Sequence, residues 1–238
     1  MRKLFSLLVL LSGTFSIIYS QTVSEAIYHD GHGGFVYFTA GKISFADILV
    51  NQTNGDPMPE MNGGPSTIVL GEPDYDLENS KGFFTLGCGG SITVRFTDNA
   101  LIDIEGSDLY IFEVGTVIEP TMLEISKDGN TWINVGEING GRAEVDIKDF
   151  VKPGDVFYYI RLTDLKKGCK GYWSGADIDA IGAIGSVMQV NLNSSLLFDN
   201  ASYTLKQEAL VELDNLAKQL NASSIKSIEI YGHTDSIG

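Results

Sequence analysis

Carboxylates are the side chains of this sequence with the most evident capacity for chemistry. Calcium takes about six to eight oxygen ligands, from carboxylates and backbone carbonyls, which loops rich in Asp, Asn and Gly can offer. We therefore expect Asp98 and Asp177 as the leading ligands of a calcium ion. The spacing matches no EF-hand loop, so solvated carboxylates without an ion remain the alternative. The neighbouring acidic residues are Asp103, Glu105, Asp108, Glu113 and Asp179.

Two adjacent aromatic residues, Tyr172 and Trp173, stand in a glycine-flanked segment. A flat ring with an apolar face can stack on a sugar, and loops carry a large share of binding residues. We interpret Tyr172 and Trp173 as possible glycan contacts. The other tryptophan, Trp132, is predicted to be a core residue, because its hairpin position alternates with Ile133 and packs inward or along the sheet.

The chain has two cysteines, Cys88 and Cys169, and the apolar run that begins at Leu4, directly after Arg2 and Lys3, predicts export. An oxidising compartment favours a disulfide between them. Two buried free thiols are the alternative, because bridging requires the Cα atoms to come within about 7 Å.

Motifs of nucleophilic and metal-dependent catalysis are missing from the sequence. It contains no G-x-S-x-G, Walker loop or H-E-x-x-H, and its three histidines provide few acid/base candidates. We therefore predict a binding protein and not an enzyme. Two alternatives stay open: a glycan- or peptidoglycan-processing hydrolase with paired carboxylates about 5 to 10 Å apart, and a purely structural surface or adhesion protein.

The sequence from Ile43 to Ile184 consists of short β-type runs separated by clusters of Gly, Asn and Asp. These runs are the elements that must position the candidate residues. Alternation of apolar and polar side chains predicts an antiparallel two-sheet domain. The clearest hairpin runs from Met122 to Val135, where Asp128-Gly129 predicts a tight turn. The fold prediction is mainly β, a jelly-roll-type antiparallel β-sandwich over residues 21–185.

That hairpin also carries a family resemblance. Ser126-Lys127-Asp128-Gly129-Asn130-Thr131-Trp132 resembles the S-x-D-G-x-x-W hairpin of discoidin-like, galactose-binding-type jelly rolls. Further segments between residues 43 and 185 are similar to bacterial cell-surface jelly-roll domains. The resemblance implies binding of a glycan or a surface protein, and such domains often hold a structural calcium. The further segments include Leu86-Gly87-Cys88-Gly89-Gly90-Ser91-Ile92 and Gly175-Ala176-Asp177-Ile178-Asp179-Ala180-Ile181.

After residue 186 the pattern changes to strand, helix, strand. Thr204 and Gln207 have the spacing of a capping box before an amphipathic helix. The segments Leu196-Leu197-Phe198-Asp199 and Ile230-Tyr231-Gly232-His233-Thr234-Asp235 resemble the start of the OmpA C-terminal-like domain. This resemblance implies a partial α+β (βαβ) domain at 186–238 that binds peptidoglycan.

In the OmpA-like family, the Asp of the G-H-T-D loop receives the ammonium of diaminopimelate in the stem peptide, and an Arg holds its carboxylate. Asp235 matches the first position, and the Arg is expected beyond Gly238. If the chain continues past Gly238, we expect Asp235 to bind the ligand; if it ends there, a solvated loop carboxylate is the alternative. Such a clamp fits a zwitterion because the guanidinium binds a carboxylate in bidentate geometry.

The N-terminus predicts export. Arg2 and Lys3 precede an apolar run that reaches small residues near Ser20, the pattern of a signal peptide over residues 1–20. A membrane anchor is the alternative, but the apolar run is shorter than the roughly 20 residues that a spanning helix needs. The resemblances place the protein in the outer membrane or periplasm of a Gram-negative bacterium. A formal net charge of −15 argues against nucleic acid as a partner.

Overall fold

The computed structural model describes residues 6–11, 25–115, 118–139, 143–167, 169–192, 197–199, 202, 204–222 and 227–231. The contacts divide the chain into two units, Glu25–Ser186 and a second unit built from Met1–Ser24 and Val187–Gly238. No helix among the described residues is both long and apolar enough to cross a membrane.

The larger unit is made of antiparallel β-sheet. Its strands, in chain order, are β2 (Ala26–His29), β3 (Phe35–Phe38), β4 (Ile48–Thr53), β5 (Phe84–Thr85), β6 (Ser91–Arg95), β7 (Asn99–Ile102), β8 (Leu109–Glu113), β9 (Thr121–Ser126), β10 (Trp132–Ile138), β11 (Ala143–Val145), β12 (Val156–Phe157), β13 (Tyr159–Asp164) and β14 (Asp177–Ala183). Short 3₁₀ turns cover Gly41–Ser44 and Ser66–Val69.

Two sheets pack on a shared core. One has the strand order β10-β9-β13-β6-β4 and the other β11-β8-β14-β5, while β2 pairs with β3 and β12 with β7. The core draws Ile92 and Leu123 from the first sheet and Ile111 and Ile181 from the second. The unit is therefore a β-sandwich, as the alternation of the sequence predicts.

The second sheet is buried on both faces. Leu109 and Ile111 of β8 belong to the sandwich core, whereas Tyr110 and Phe112 belong to a separate aromatic cluster with Phe38 of β3. Phe38 and Phe112 have ring centroids 6.2 Å apart. A strand covered on both faces loses the alternation of polar and apolar residues, which explains the continuous apolar run at 109–112.

The predicted hairpin forms, but its turn is longer than predicted. Trp132 pairs with Ser126, so five residues lie between the strands, and Gly129 has a φ of 75°. The Asp128 carboxylate accepts hydrogen bonds from the backbone N–H groups of Asn130 and Thr131, each at 2.8 Å. This side-chain bonding stabilises a wider loop in place of the tight Asp-Gly turn.

Trp132 lies along the outer face of its sheet. The Arg161 guanidinium is 4.1 Å from the centre of its ring, a cation–π geometry. Trp132 is only partly buried and does not join the sandwich core. The prediction of Trp132 as a core residue is therefore wrong, because its ring packs along the sheet against Arg161.

The smaller unit contains β1 (Ser6–Leu11), β15 (Ser186–Leu192), α1 (Gln207–Ala222) and β16 (Ser227–Tyr231). Strand β1 pairs in parallel with both β15 and β16. The predicted strand–helix–strand order is present. The helix begins at Gln207, so Thr204 is not its N-cap. Leu205 instead bridges Phe198, and the Lys206 N–H donates to the Leu197 carbonyl at 2.9 Å.

Candidate functional site

An aromatic pocket of about 630 Å³ opens on the β-sandwich. Phe83 lies at its centre, with its ring centroid 5.6 Å from that of Tyr75 and 5.1 Å from that of Trp173. Phe83 is buried at 3% exposure, whereas Tyr172 is 63% exposed. The pocket thus combines a fixed apolar floor with an aromatic side chain that is free to meet a ligand.

The loop that carries Tyr172 and Trp173 is held by the carboxylate of Asp164, the last residue of β13. That buried carboxylate accepts hydrogen bonds from the N–H groups of Gly89 and Lys166 at 2.8 Å and of Ala176 at 3.2 Å. Three separate segments therefore meet at one side chain. Bonds from several N–H groups to one carboxylate give the loop a defined position.

A disulfide fastens the same loop. Cys88 and Cys169 are bonded, with their Cα atoms 5.2 Å apart. Cys169 also lines the pocket. Beyond it, the Tyr172 carbonyl accepts a hydrogen bond from the Met61 N–H at 3.0 Å. The loop is thus tied to the rest of the sandwich on both sides of Lys170.

Two buried carboxyl groups, those of Asp177 and Glu119, also line the pocket. Asp177 begins β14, and the hydroxyl of Thr85 on β5 donates a hydrogen bond to it. Burial raises the pKa of Asp177 to about 7 against the lowering effect of that hydrogen bond. Burial, followed by the charges of Asp177 and Asp164, raises the pKa of Glu119 to about 7. Near neutral pH both groups can therefore be protonated and donate hydrogen bonds.

Three lysines complete the pocket lining: Lys166, Lys167 and Lys170. All three are exposed. Lys167 forms an ion pair with Glu137 at 2.6 Å. Lys166 and Lys170 have no ion pair with any of the residues that the structure describes. The entrance of the pocket is therefore cationic and its interior is aromatic and carboxylic.

The structure brings three of the predicted site residues together. Tyr172 and Trp173, interpreted as glycan contacts, line the same pocket as Asp177, interpreted as a metal ligand. Sequence reasoning missed Phe83, Tyr75 and Glu119. One available signal was the basic run Lys166-Lys167-Gly168-Cys169-Lys170 next to two aromatic residues in an acidic chain.

Asp98 lies in the turn between β6 and β7, apart from the strand that carries Asp177. Its Oδ1 atom is buried without a hydrogen-bond partner among the described residues. Burial, and then the charge of Asp47, raises its pKa to about 7. A carboxylate oxygen without a hydrogen-bond partner could bind a cation, but this oxygen would supply only one ligand.

Among the described residues, a different group of carboxylates lies close together. Ligand atoms of Asp103, Asp108 and Asp146 lie within 4.8 Å of one another, and neither Asp98 nor Asp177 belongs to this group. Both oxygens of Asp108 already accept backbone N–H groups, from Ile104 at 2.7 Å and Ile147 at 2.8 Å. Calcium at Asp98 and Asp177 therefore stays a prediction. Asp235 lies outside the described residues.

Among known proteins, no family model matches the chain, and no curated protein matches it. Solved structures give partial similarities. The C-terminal domain of a chitobiase from Bacteroides fragilis is 15% identical with a TM-score of 0.38, over 59% of this chain and 94% of that one. The family 32 carbohydrate-binding module of EndoD from Streptococcus pneumoniae is 14% identical with a TM-score of 0.41, over 59% of this chain and 97% of that one.

A third similarity is to a family 32 carbohydrate-binding module from a family 31 glycoside hydrolase of Clostridium perfringens. It is 15% identical with a TM-score of 0.31, over 60% of this chain and 93% of that one. Each similarity covers nearly the whole of the compared module and somewhat more than half of this chain.

Proposed function

We propose that the β-sandwich is a glycan-binding module and that the aromatic pocket is its binding site. The observation that carries this proposal is the convergence of Tyr75, Phe83, Tyr172 and Trp173 around one opening that also holds carboxyl and ammonium groups. Ligand pockets commonly combine apolar walls with a few polar groups that fix orientation. A sugar ring offers the matching pattern of an apolar face and polar edges.

Trp173→Ala tests this proposal, with Trp132→Ala as the matched control because Trp132 lies on β10 and does not line the pocket. Loss of the stacking surface in Trp173→Ala should weaken binding about tenfold or more, which corresponds to about 1.4 kcal/mol. Affinity electrophoresis against a panel of polysaccharides, followed by calorimetry, measures the effect. Equal affinity of the two variants would exclude the pocket as the site.

Hydrolysis is the competing function, and one observation favours it. Glu119 and Asp177 share the pocket, and both have a pKa near 7, which suits a general acid. Reducing-end release from each bound polysaccharide separates the two functions. A binding module releases none, whereas a hydrolase loses release in both Glu119→Gln and Asp177→Asn while keeping its affinity.

For the C-terminal unit we propose anchoring to peptidoglycan in the envelope of a Gram-negative bacterium, with Asp235 as the group that receives the diaminopimelate ammonium. The support is the order β15, α1, β16 together with the Gly232-His233-Thr234-Asp235 sequence that follows β16. Export through the predicted signal peptide at residues 1–20 is part of this proposal.

Sedimentation of the full-length gene product with diaminopimelate-containing peptidoglycan tests the anchoring proposal. Asp235→Ala should abolish sedimentation, because removing one partner of a charge pair leaves the other charge unpaired at a cost of a few kcal/mol. Asp214→Ala, which changes an exposed carboxylate of α1, is the matched control. Retained sedimentation of Asp235→Ala would refute this role.

A further inference from the structure

We propose that the ligand of the aromatic pocket is an anionic saccharide, one that carries a carboxylate or sulfate group beside its sugar ring. This inference rests on the glycan-binding function proposed above and specifies the chemical class of its ligand. It is carried by the placement of the basic side chains around the pocket.

The pocket concentrates positive charge in a chain that has little of it. The sequence has 16 Lys and Arg residues against 31 Asp and Glu residues. Three of the 14 pocket-lining residues are nevertheless lysines, and they lie on the loop that presents Tyr172 and Trp173. An anionic ligand approaching this chain meets general repulsion, so local cations are needed to bind it. At physiological salt such charges act over about 8 Å, which is within the reach of a pocket-bound sugar.

Two of the lysines are available to a ligand. Lys166 and Lys170 are exposed and have no ion pair with a described residue, whereas the Lys167 ammonium is already paired with Glu137. A lysine ammonium is a compact charge on a flexible stem with three donors. Lys166 and Lys170 can therefore follow a carboxylate or a sulfate group without a fixed bidentate geometry.

The backbone also holds Lys166 in place. Its φ is +61°, and its N–H donates to the Asp164 carboxylate. Its stem passes close to Gly89, where an added Cβ would lie 2.2 Å from the Lys166 Cε atom. The stem of Lys166 thus occupies the space that a side chain at position 89 would fill. This packing places the Lys166 ammonium beside the pocket.

The buried carboxyl groups do not reverse this preference. Asp177 and Glu119 are at most 9% exposed, whereas the lysines are exposed at the entrance. A cationic amino sugar would instead meet the lysines first.

Matched pairs of saccharides test the inference on the full chain by calorimetry at pH 6. The carboxylate arm compares oligogalacturonate with its methyl ester and alginate oligomers with their propylene glycol esters. The sulfate arm compares chondroitin sulfate oligomers with their desulfated form. Galactose and glucose oligomers serve as neutral probes, and chitosan oligomers as cationic ones.

We expect the acidic member of a binding pair to bind at least tenfold more tightly than its neutral counterpart. The arm in which the acidic member binds more tightly shows whether the ligand carries a carboxylate or a sulfate group. Lys166→Gln and Lys170→Gln should each reduce affinity for the acidic member severalfold and leave the neutral probes unaffected. Lys148→Gln, the same charge change at an exposed residue outside the pocket lining, should have no effect. Circular dichroism confirms that each variant is folded.

Three outcomes would overturn the inference. Equal affinity for acidic and neutral members, or tighter binding of chitosan, with sensitivity to Trp173→Ala, refutes the anionic preference and leaves the glycan-binding function intact. Acidic binding that is insensitive to Trp173→Ala refutes the site. Absence of binding to every saccharide refutes both the inference and the proposed function.

Discussion

At the scale of single residues, Asp98 and Asp128 are carboxylates with opposite environments. Burial is the main reason that the pKa of Asp98 is raised from 3.8 to about 7. Hydrogen bonds from the Thr131 and Asn130 N–H groups lower the pKa of the exposed Asp128. These directions give the two residues opposite effects on how stability depends on pH.

Between about pH 4 and pH 7 the folded chain retains a proton on Asp98 that the unfolded chain releases, so stability falls as pH rises through this window. Asp98→Asn removes the ionisation. In EDTA the Asp98→Asn variant should melt at a higher temperature than the wild type at pH 8, and the difference should shrink at pH 4.

Asp128→Asn should melt at a lower temperature than the wild type at pH 8. The ionised form of Asp128 stabilises the fold, and this stabilisation is present above the unfolded pKa and lost as pH falls. A shift of the same sign in both variants contradicts this account.

The calcium prediction is tested with the same variant. If Asp98 is a ligand, added calcium should raise the melting temperature of the wild type by mass action and leave Asp98→Asn unchanged. Elemental analysis of the purified chain measures bound metal directly. An EDTA-insensitive melting curve with no metal detected would refute the prediction.

The affinity for an acidic saccharide should fall as pH rises, because Asp177 and Glu119 ionise near pH 7 inside the pocket. Thr85 donates a hydrogen bond to Asp177, whose charge acts on Tyr75 and Glu119, and three lysines line the same pocket. A sugar carboxylate stays charged from pH 5.5 to pH 8. Repulsion between like charges within one pocket costs on the order of 1 kcal/mol at an effective dielectric of about 20, and about 1.4 kcal/mol corresponds to tenfold in affinity.

We therefore expect about tenfold weaker binding at pH 8 than at pH 5.5. The double variant Asp177→Asn with Glu119→Gln should bind with nearly the same affinity at both values. Calorimetry with oligogalacturonate measures both. A wild-type affinity that is constant across this range would show that the carboxyl groups do not face the ligand.

At the scale of the elements, the disulfide joins positions 81 residues apart. In the chain-entropy model, closing a loop of this length stabilises the fold by about 4 kcal/mol. The double variant Cys88→Ser with Cys169→Ser should lower the free energy of unfolding by about this amount, measured by urea denaturation at unchanged m-value. Reduction of the wild type should give the same curve. Alkylation of both cysteines without a reductant would show that the bond is absent from the protein.

Local patterns predicted several elements well. Alternation over residues 122–135 predicted a pair of strands, and the helical periodicity after residue 204 predicted α1. The wide hairpin loop was missed because side-chain bonds of Asp128 outweigh the local preference of Asp-Gly for a tight turn. The start of α1 was misplaced because Leu205 forms a bridge with Phe198, a tertiary contact that spacing does not reveal.

At the scale of the whole molecule, the pocket depends on contacts between distant parts of the chain. Phe83 and Trp173 are 90 positions apart in the sequence, and their rings meet only when β5 pairs with β14. Tyr172 and Trp173 were predictable because they stand in a loop. Phe83 and Glu119 were not, because their sequence surroundings look like those of any buried strand end.

The two proposed functions should be separable by mutation. Trp173→Ala should lose saccharide binding and keep sedimentation with peptidoglycan, and Asp235→Ala should do the reverse. The physical reason is that the two changes fall in different units of the chain, and each removes one local contact surface. Both assays on both variants of the full-length gene product measure this. Loss of both activities in one variant would show that the functions depend on one another.

The Asp164 carboxylate has a consequence for how the protein matures. Its Oδ1 atom binds the N–H groups of Gly89, next to Cys88, and of Lys166, three residues before Cys169. These bonds need no oxidant, so the folded backbone places the two thiols at a high effective concentration before any covalent bond forms. The chain has only these two cysteines, so no intramolecular mispairing is available. We therefore expect the reduced chain to bring the two thiols together as it folds, so that exchange with a partner disulfide, which is itself reduced to two thiols, completes the bond.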